Sequence, residues 1–139
     1  MSREDIKRAE VLINKALEKR MLPTTTQLRK IFSQINNLKN TYEMEKLNGN
    51  IVDGKLSDKI LDDLEYLKMQ VAYQCGRAKK ERGNNLSRFI VDLKHYNSKG
   101  KQLNFLEYLS IIKTVEDMNK FFDYAEALIA YQKFYGRDK

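Results

Sequence analysis

Histidine, cysteine and proline each occur once in this 139-residue chain, and its six glycines are scattered. One histidine leaves no two-histidine metal arrangement and weighs against Cys–His and Ser–His–Asp constellations. His95 itself, beside Lys94 and Tyr96 near an expected helix end, reads as an exposed polar residue. The single Cys75 excludes an internal disulfide and, lying on an apolar stripe, reads as a small buried hydrophobe. Glycines without a G-x-G or GK[ST] pattern provide no phosphate loop. Few helix breakers favour an all-helical protein. No apolar run approaches the ~18 residues of a membrane span, and residues 1–5 lead into amphipathic, charged sequence unlike a signal peptide. The expectation is a cytoplasmic protein with no membrane contact, cofactor, metal site or catalytic residue.

What the chain does have is charge. Lys and Arg number 26 against 19 Asp and Glu, giving a net charge of +7 and a pI near 9.4. That excess speaks of partners, nucleic acid or an anionic surface, and not of fold. With 42% apolar residues and 32% charged, the composition is globular rather than disordered. The length suits one domain over residues 1–139, with a radius of gyration of roughly 14 Å.

Residues 60–82 combine both properties. Ile60, Leu64, Leu67, Val71, Cys75 and Ala78 recur at steps of three and four, the mark of one buried helix face. Arg77, Lys79, Lys80 and Arg82 then arrive with Glu81 the only acid among them. Before this helix, Ser2 offers a cap for a first helix with Ile6, Ala9, Ile13, Ala16 and Leu17 inward, ended by Pro23. Thr24 and Gln27 have capping-box spacing for a second, with Leu28, Ile31, Phe32, Ile35 and Leu38 inward, stopped near residues 48–50. After it, Leu86, Phe89, Ile90 and Leu93 predict a short fourth helix ended by residues 97–100. Asn104 caps a fifth, and Thr114 with Asp117 marks a fresh start after a break near Lys113. The terminal helix carries Met118, Phe121, Phe122, Ala125, Leu128 and Ile129. No strand alternation stands out. The expected fold is an all-α bundle of five or six helices.

Residues 77–88 hold five basic residues and one acid. At a helix C-terminus the dipole alone stabilises such cations, but Gly83, Asn84 and Asn85 add free donors suited to phosphate oxygens. Tyr73, Tyr131, Phe134 and Tyr135 are candidates for stacking on bases, or for core and rim packing. Carboxylates group at Asp62, Asp63 and Glu65, where the helix dipole accounts for Asp62 and Asp63, and at Asp123 with Glu126 at i,i+3, the pair that could serve a magnesium-dependent nuclease. An apolar seam at residues 103–109 offers self-association when other partners are missing.

Three stretches together carry a resemblance: TTTQLRKIF at residues 24–32, AYQCGR at 72–77 and EALIAYQKFYG at 126–136. In this order and spacing the chain resembles the small subunit of the type III-A CRISPR effector, the Csm complex. The resemblance implies an all-helical, non-catalytic subunit, present in several copies that form an inner filament along the guide RNA–target RNA duplex. It implies contact with the backbone and large subunits, which carry the cleavage activities; a homodimer of the isolated chain is a separate expectation that rests on the apolar seam at residues 103–109. Gln27, Arg29, Tyr73, Arg77, Tyr131 and Lys133 match its motif positions. Gln74 departs from them, bulkier than the small residue expected. The candidate RNA contacts are Arg29, Lys30, Arg77, Lys79, Lys80, Arg82 and Lys133, with structural ion pairs to groups such as Glu126 the alternative for Arg29 and Arg77. The rival readings are a helical scaffold that does not bind RNA and a nuclease using Asp123 and Glu126.

Overall fold

A computed structural model describes residues 2–82, 85–98 and 100–136, and of residues 80–82, 97 and 98 the backbone. The helices are α1 (Arg3–Glu18), α2 (Thr25–Leu47), α3 (Asp58–Arg82), α4 (Asn85–Ser87), α5 (Phe105–Ser110) and α6 (Val115–Tyr135). The all-α bundle expected from composition and periodicity is the observed fold.

Local chemistry sets the helix starts. Thr24 accepts the Gln27 amide at 3.2 Å while the Gln27 side chain accepts the Thr24 amide at 3.0 Å, so two of the unpaired amides at the start of α2 are satisfied reciprocally. Asn104 with Glu107 does the same for α5, and Thr114 with Asp117 for α6. The break near Lys113 is therefore real, and its cause is the Thr114 cap. Ser2 makes no side-chain cap bond. Helix α1 ends ahead of Pro23, where Arg20 turns to φ +55 and Met21 bonds back to Ala16.

Helix α2 lies antiparallel between α6 and α3. Its first turn meets the end of α6 through Thr25 and Gln132, and its later turns meet the start of α6 through Tyr42 and Asn119. On the α3 side Ser57 donates to Glu45 at 2.9 Å, while Gln27 and Lys30 share a cleft with Gln74 and Arg77. Helix α1 packs along α6. The α3 stripe from Ile60 to Cys75 is buried as its spacing predicts. The core gathers where α6 brings Phe121, Phe122 and Tyr124 against Tyr42, Phe105 and Tyr108.

Four expectations need correction. The predicted fourth helix is one α turn followed by a π-helical turn, Arg88–Asp92, closed by the Leu93 amide on the Arg88 carbonyl; Leu86, Phe89, Ile90 and Leu93 are buried nonetheless. Tyr96–Ser98 and Lys101–Leu103 form a two-stranded antiparallel hairpin where no strand was expected. Leu17 is exposed, whereas Leu12, not assigned an inward place, is buried. The seam at residues 103–109 is no surface, because Phe105, Tyr108 and Leu109 are buried.

Candidate nucleic-acid interface

The four inward residues Leu28, Ile31, Phe32 and Ile35 fix the roll of α2 about its axis. Adjacent residues on a helix are rotated by about 100°, so Arg29 and Lys30, both exposed, serve opposite sides. Arg29 lines a cleft of about 440 Å³ between α2 and α6 with Lys39 and Lys133; Ser33, Asn36 and Glu126 stand between them, and Phe32 and Phe122 underlie it. Lys30 lines a smaller cleft of about 150 Å³ between α2 and α3, with Arg77, Gln27, Gln74 and Thr26. Lys79 is exposed further along α3. Lys80 and Arg82 lie on the last turn of α3, and their side chains are outside the described residues, as are Gly83 and Asn84 of the following segment.

The packing thus unites Arg29 with Lys133 and Lys30 with Arg77, placing the two sets on either side of one helix. Sequence reasoning missed Lys39, which lies ten residues, almost three turns, along α2 from Arg29. It also missed what positions Lys133. Gln132, fully buried, donates to the Pro23 carbonyl at 3.2 Å and accepts the Thr25 hydroxyl at 3.2 Å. A buried amide with both ends satisfied locks the end of α6 to the start of α2. Its signals in the sequence were a polar residue within an apolar helix and a place inside the stretch 126–136.

Among the described residues, Arg29, Lys30, Lys79 and Lys133 form no ion pair; the ion pairs present are Arg8–Asp5, Lys46–Glu43 and Lys59–Asp63. Arg29 shares a cleft with Glu126 without pairing to it. Arg77 interacts within the protein. Of the aromatic candidates, Tyr73 and Phe134 are exposed. Tyr131 and Tyr135 are half-buried and stacked together, with Tyr135 donating to Glu10 of α1.

The nuclease pair does not converge. Glu126 faces the cleft with Arg29, whereas Asp123 lines a separate depression with Asp5, Glu116 and Asn119. Among the described residues no three His, Cys, Asp or Glu side chains gather as a metal site would require. His95 is buried, not exposed as its place beside Lys94 and Tyr96 suggested. Its Nε2 donates to the Phe89 carbonyl at 2.7 Å and its Nδ1 accepts the Tyr124 hydroxyl at 3.0 Å. Burial pulls its pKa down from 6.5 to about 4, against the hydrogen bond to Phe89, so it is a neutral tie between the π turn and α6. Burial pushes the Cys75 thiol up to about 11, in keeping with an inert core residue.

These features define a small all-helical protein with cation-lined clefts at one end of the bundle, and no described helix is long and apolar enough to cross a membrane. The family model "Csm2 Type III-A" matches residues 2–138. The chain is 32% identical over 129 residues to the CRISPR system Cms protein Csm2 of Streptococcus thermophilus, covering 93% of this chain and 86% of that one. The chain belongs to the type III-A Csm2 family, the small subunits of Csm complexes, as the three motifs suggested.

Proposed function

We propose that this chain is a cytoplasmic, non-catalytic, single-domain subunit that holds the guide and target RNA of a type III-A complex by their sugar–phosphate backbone. Its partners are then the backbone and large subunits and neighbouring copies of itself in an inner filament, with no cofactor or metal required.

The observation that carries this reading is the pair of clefts flanking α2, with Arg29, Lys39 and Lys133 in one and Lys30 and Arg77 in the other. Guanidinium groups bind phosphate oxygens in a bidentate fork, while lysines act as mobile point charges. Lys79, exposed on α3 about 160° round the helix from Arg77, and Lys80 and Arg82 of its last turn complete the proposed set. Such contacts carry no base code, which suits a complex whose specificity comes from guide pairing. Each copy contributes only a few contacts. Neighbouring copies on one RNA raise the effective concentration of each next contact.

Crosslinking of the full chain to single-stranded RNA, read by peptide mass spectrometry, tests the placement. Crosslinks are expected at residues 29–39, 77–82 and 133. Crosslinks confined to α1 or α5, or none at low salt, would leave a helical scaffold that does not touch RNA.

A further inference from the structure

The cleft between α2 and α6 contains one group that phosphate contacts leave without a use. Glu126 is exposed and lines the cleft with Arg29, Lys39 and Lys133, where a carboxylate works against any anion those cations hold. It does not neutralise them locally: among the described residues its side chain makes neither an ion pair nor a hydrogen bond. Ser33 and Asn36, exposed on the facing helix, likewise have no side-chain partner. These polar groups stand over an apolar floor to which Phe32, Phe122 and Ile129 contribute.

The antiparallel run of the two helices sets the order of groups along the cleft. Thr25 meets Gln132 at one end and Tyr42 meets Asn119 at the other. Arg29 and Lys133 therefore lie towards the first end, Ser33, Asn36 and Glu126 towards the middle, and Lys39 towards the second. Glu126 and Lys133 are seven residues apart, about 10 Å along α6, close to the span of one nucleotide from base edge to phosphate. The cleft volume of about 440 Å³ falls within the range of small-ligand sites, roughly 300–1,000 Å³.

We propose that this cleft seats one unstacked guanine nucleotide, with its base on the apolar floor, its base edge at Glu126 and its phosphate on Arg29 and Lys133. The carboxylate chooses the base. It only accepts hydrogen bonds, and guanine alone among the standard bases carries two adjacent donors, N1–H and the N2 amino group, on its pairing edge. Both carboxylate oxygens are then engaged, and Ser33 and Asn36 supply donors for O6. The ligand has two sources, a nucleotide splayed out of a bound RNA strand or a free mononucleotide. The first rests on the proposed function and adds a base contact to its phosphate contacts; the second does not depend on it.

Two titrations of the full chain test the site and separate the sources. In NMR of the nitrogen-15-labelled chain with the four nucleoside 5′-monophosphates, GMP is expected to shift the amides around residues 33, 36 and 126. It should bind about fivefold or more tightly than AMP, CMP or UMP, the discrimination of one two-bond base contact. In fluorescence anisotropy, an oligouridine strand carrying one central guanosine should likewise bind about fivefold or more tightly than oligouridine alone. Glu126→Gln, its fold checked by circular dichroism, should abolish the guanine preference while strengthening binding of oligouridine, because an acid has left a cationic cleft. Preference in the strands alone assigns the site to RNA, in the mononucleotides alone to a free nucleotide, and in both to an RNA site that also accepts the free form. No guanine preference in either titration, GMP shifts away from the cleft, or a preference that survives Glu126→Gln would overturn the assignment. Failure of both strands to bind would count against the proposed function, and the mononucleotide titration would still decide this one.

Discussion

His95 concentrates the difference between a residue's type and its role. Flanked by lysine and tyrosine it reads as surface, yet the hairpin turns it inward, where it is hydrogen-bonded on both nitrogens and edge-on to Phe89 and Phe105. Its folded pKa of about 4 lies below the ordinary 6.5, so between these values the unfolded chain binds a proton that the folded chain does not. Its contribution is therefore complete above pH 6.5 and is lost as pH falls towards 4, amounting to about 3 kcal/mol. Urea unfolding from pH 7 to 4 should show the unaltered chain losing this much more than His95→Gln, while parallel profiles would contradict the account. No pattern in the local sequence reveals this tie, because its partners come from residues 89 and 124. Cys75, in contrast, was readable from its place on a periodic stripe.

At the scale of elements, what could be read was what is local. The Thr24, Asn104 and Thr114 caps each sit three residues before a side chain that answers them, and apolar spacing identified the buried faces of α2, α3 and α6. Thr24→Ala and Thr114→Ala should each cost about 1 kcal/mol of stability by chemical denaturation. The caps lie at opposite ends of the bundle, so the double variant should cost about 2 kcal/mol, the separate effects adding; a much smaller double effect would mean that one helix start is held by other contacts. The hairpin was not readable. Its strands have three residues each, too short for alternation to register, and it is held from outside, by Tyr96 stacked 4.5 Å from Tyr108 and Arg8 lying over Tyr96. The π turn escaped notice for a related reason: Phe89, Ile90 and Leu93 keep helical spacing while the ring closure widens to bury all three.

Across the whole molecule, the net charge of +7 was plain from composition, and so were most of the cations now placed in the clefts. Their grouping was not, because Arg29 meets Lys133 only through α2 packing on α6, and Lys30 meets Arg77 only through α2 packing on α3. Gln132, which secures the first of these arrangements, lies within the quoted stretch 126–136, but its partners at Pro23 and Thr25 are more than a hundred residues away. The measurement that tests the central claim most directly is the affinity of the full chain for single-stranded RNA across a salt series from 50 to 300 mM. Log affinity should fall against log salt with a slope of roughly −2 to −4, about −0.7 for each phosphate neutralised, and Arg29→Ala with Lys30→Ala should flatten that slope by about 1.4. Affinity that is absent at 50 mM salt, or a slope unchanged by the two substitutions, would contradict a backbone-gripping role.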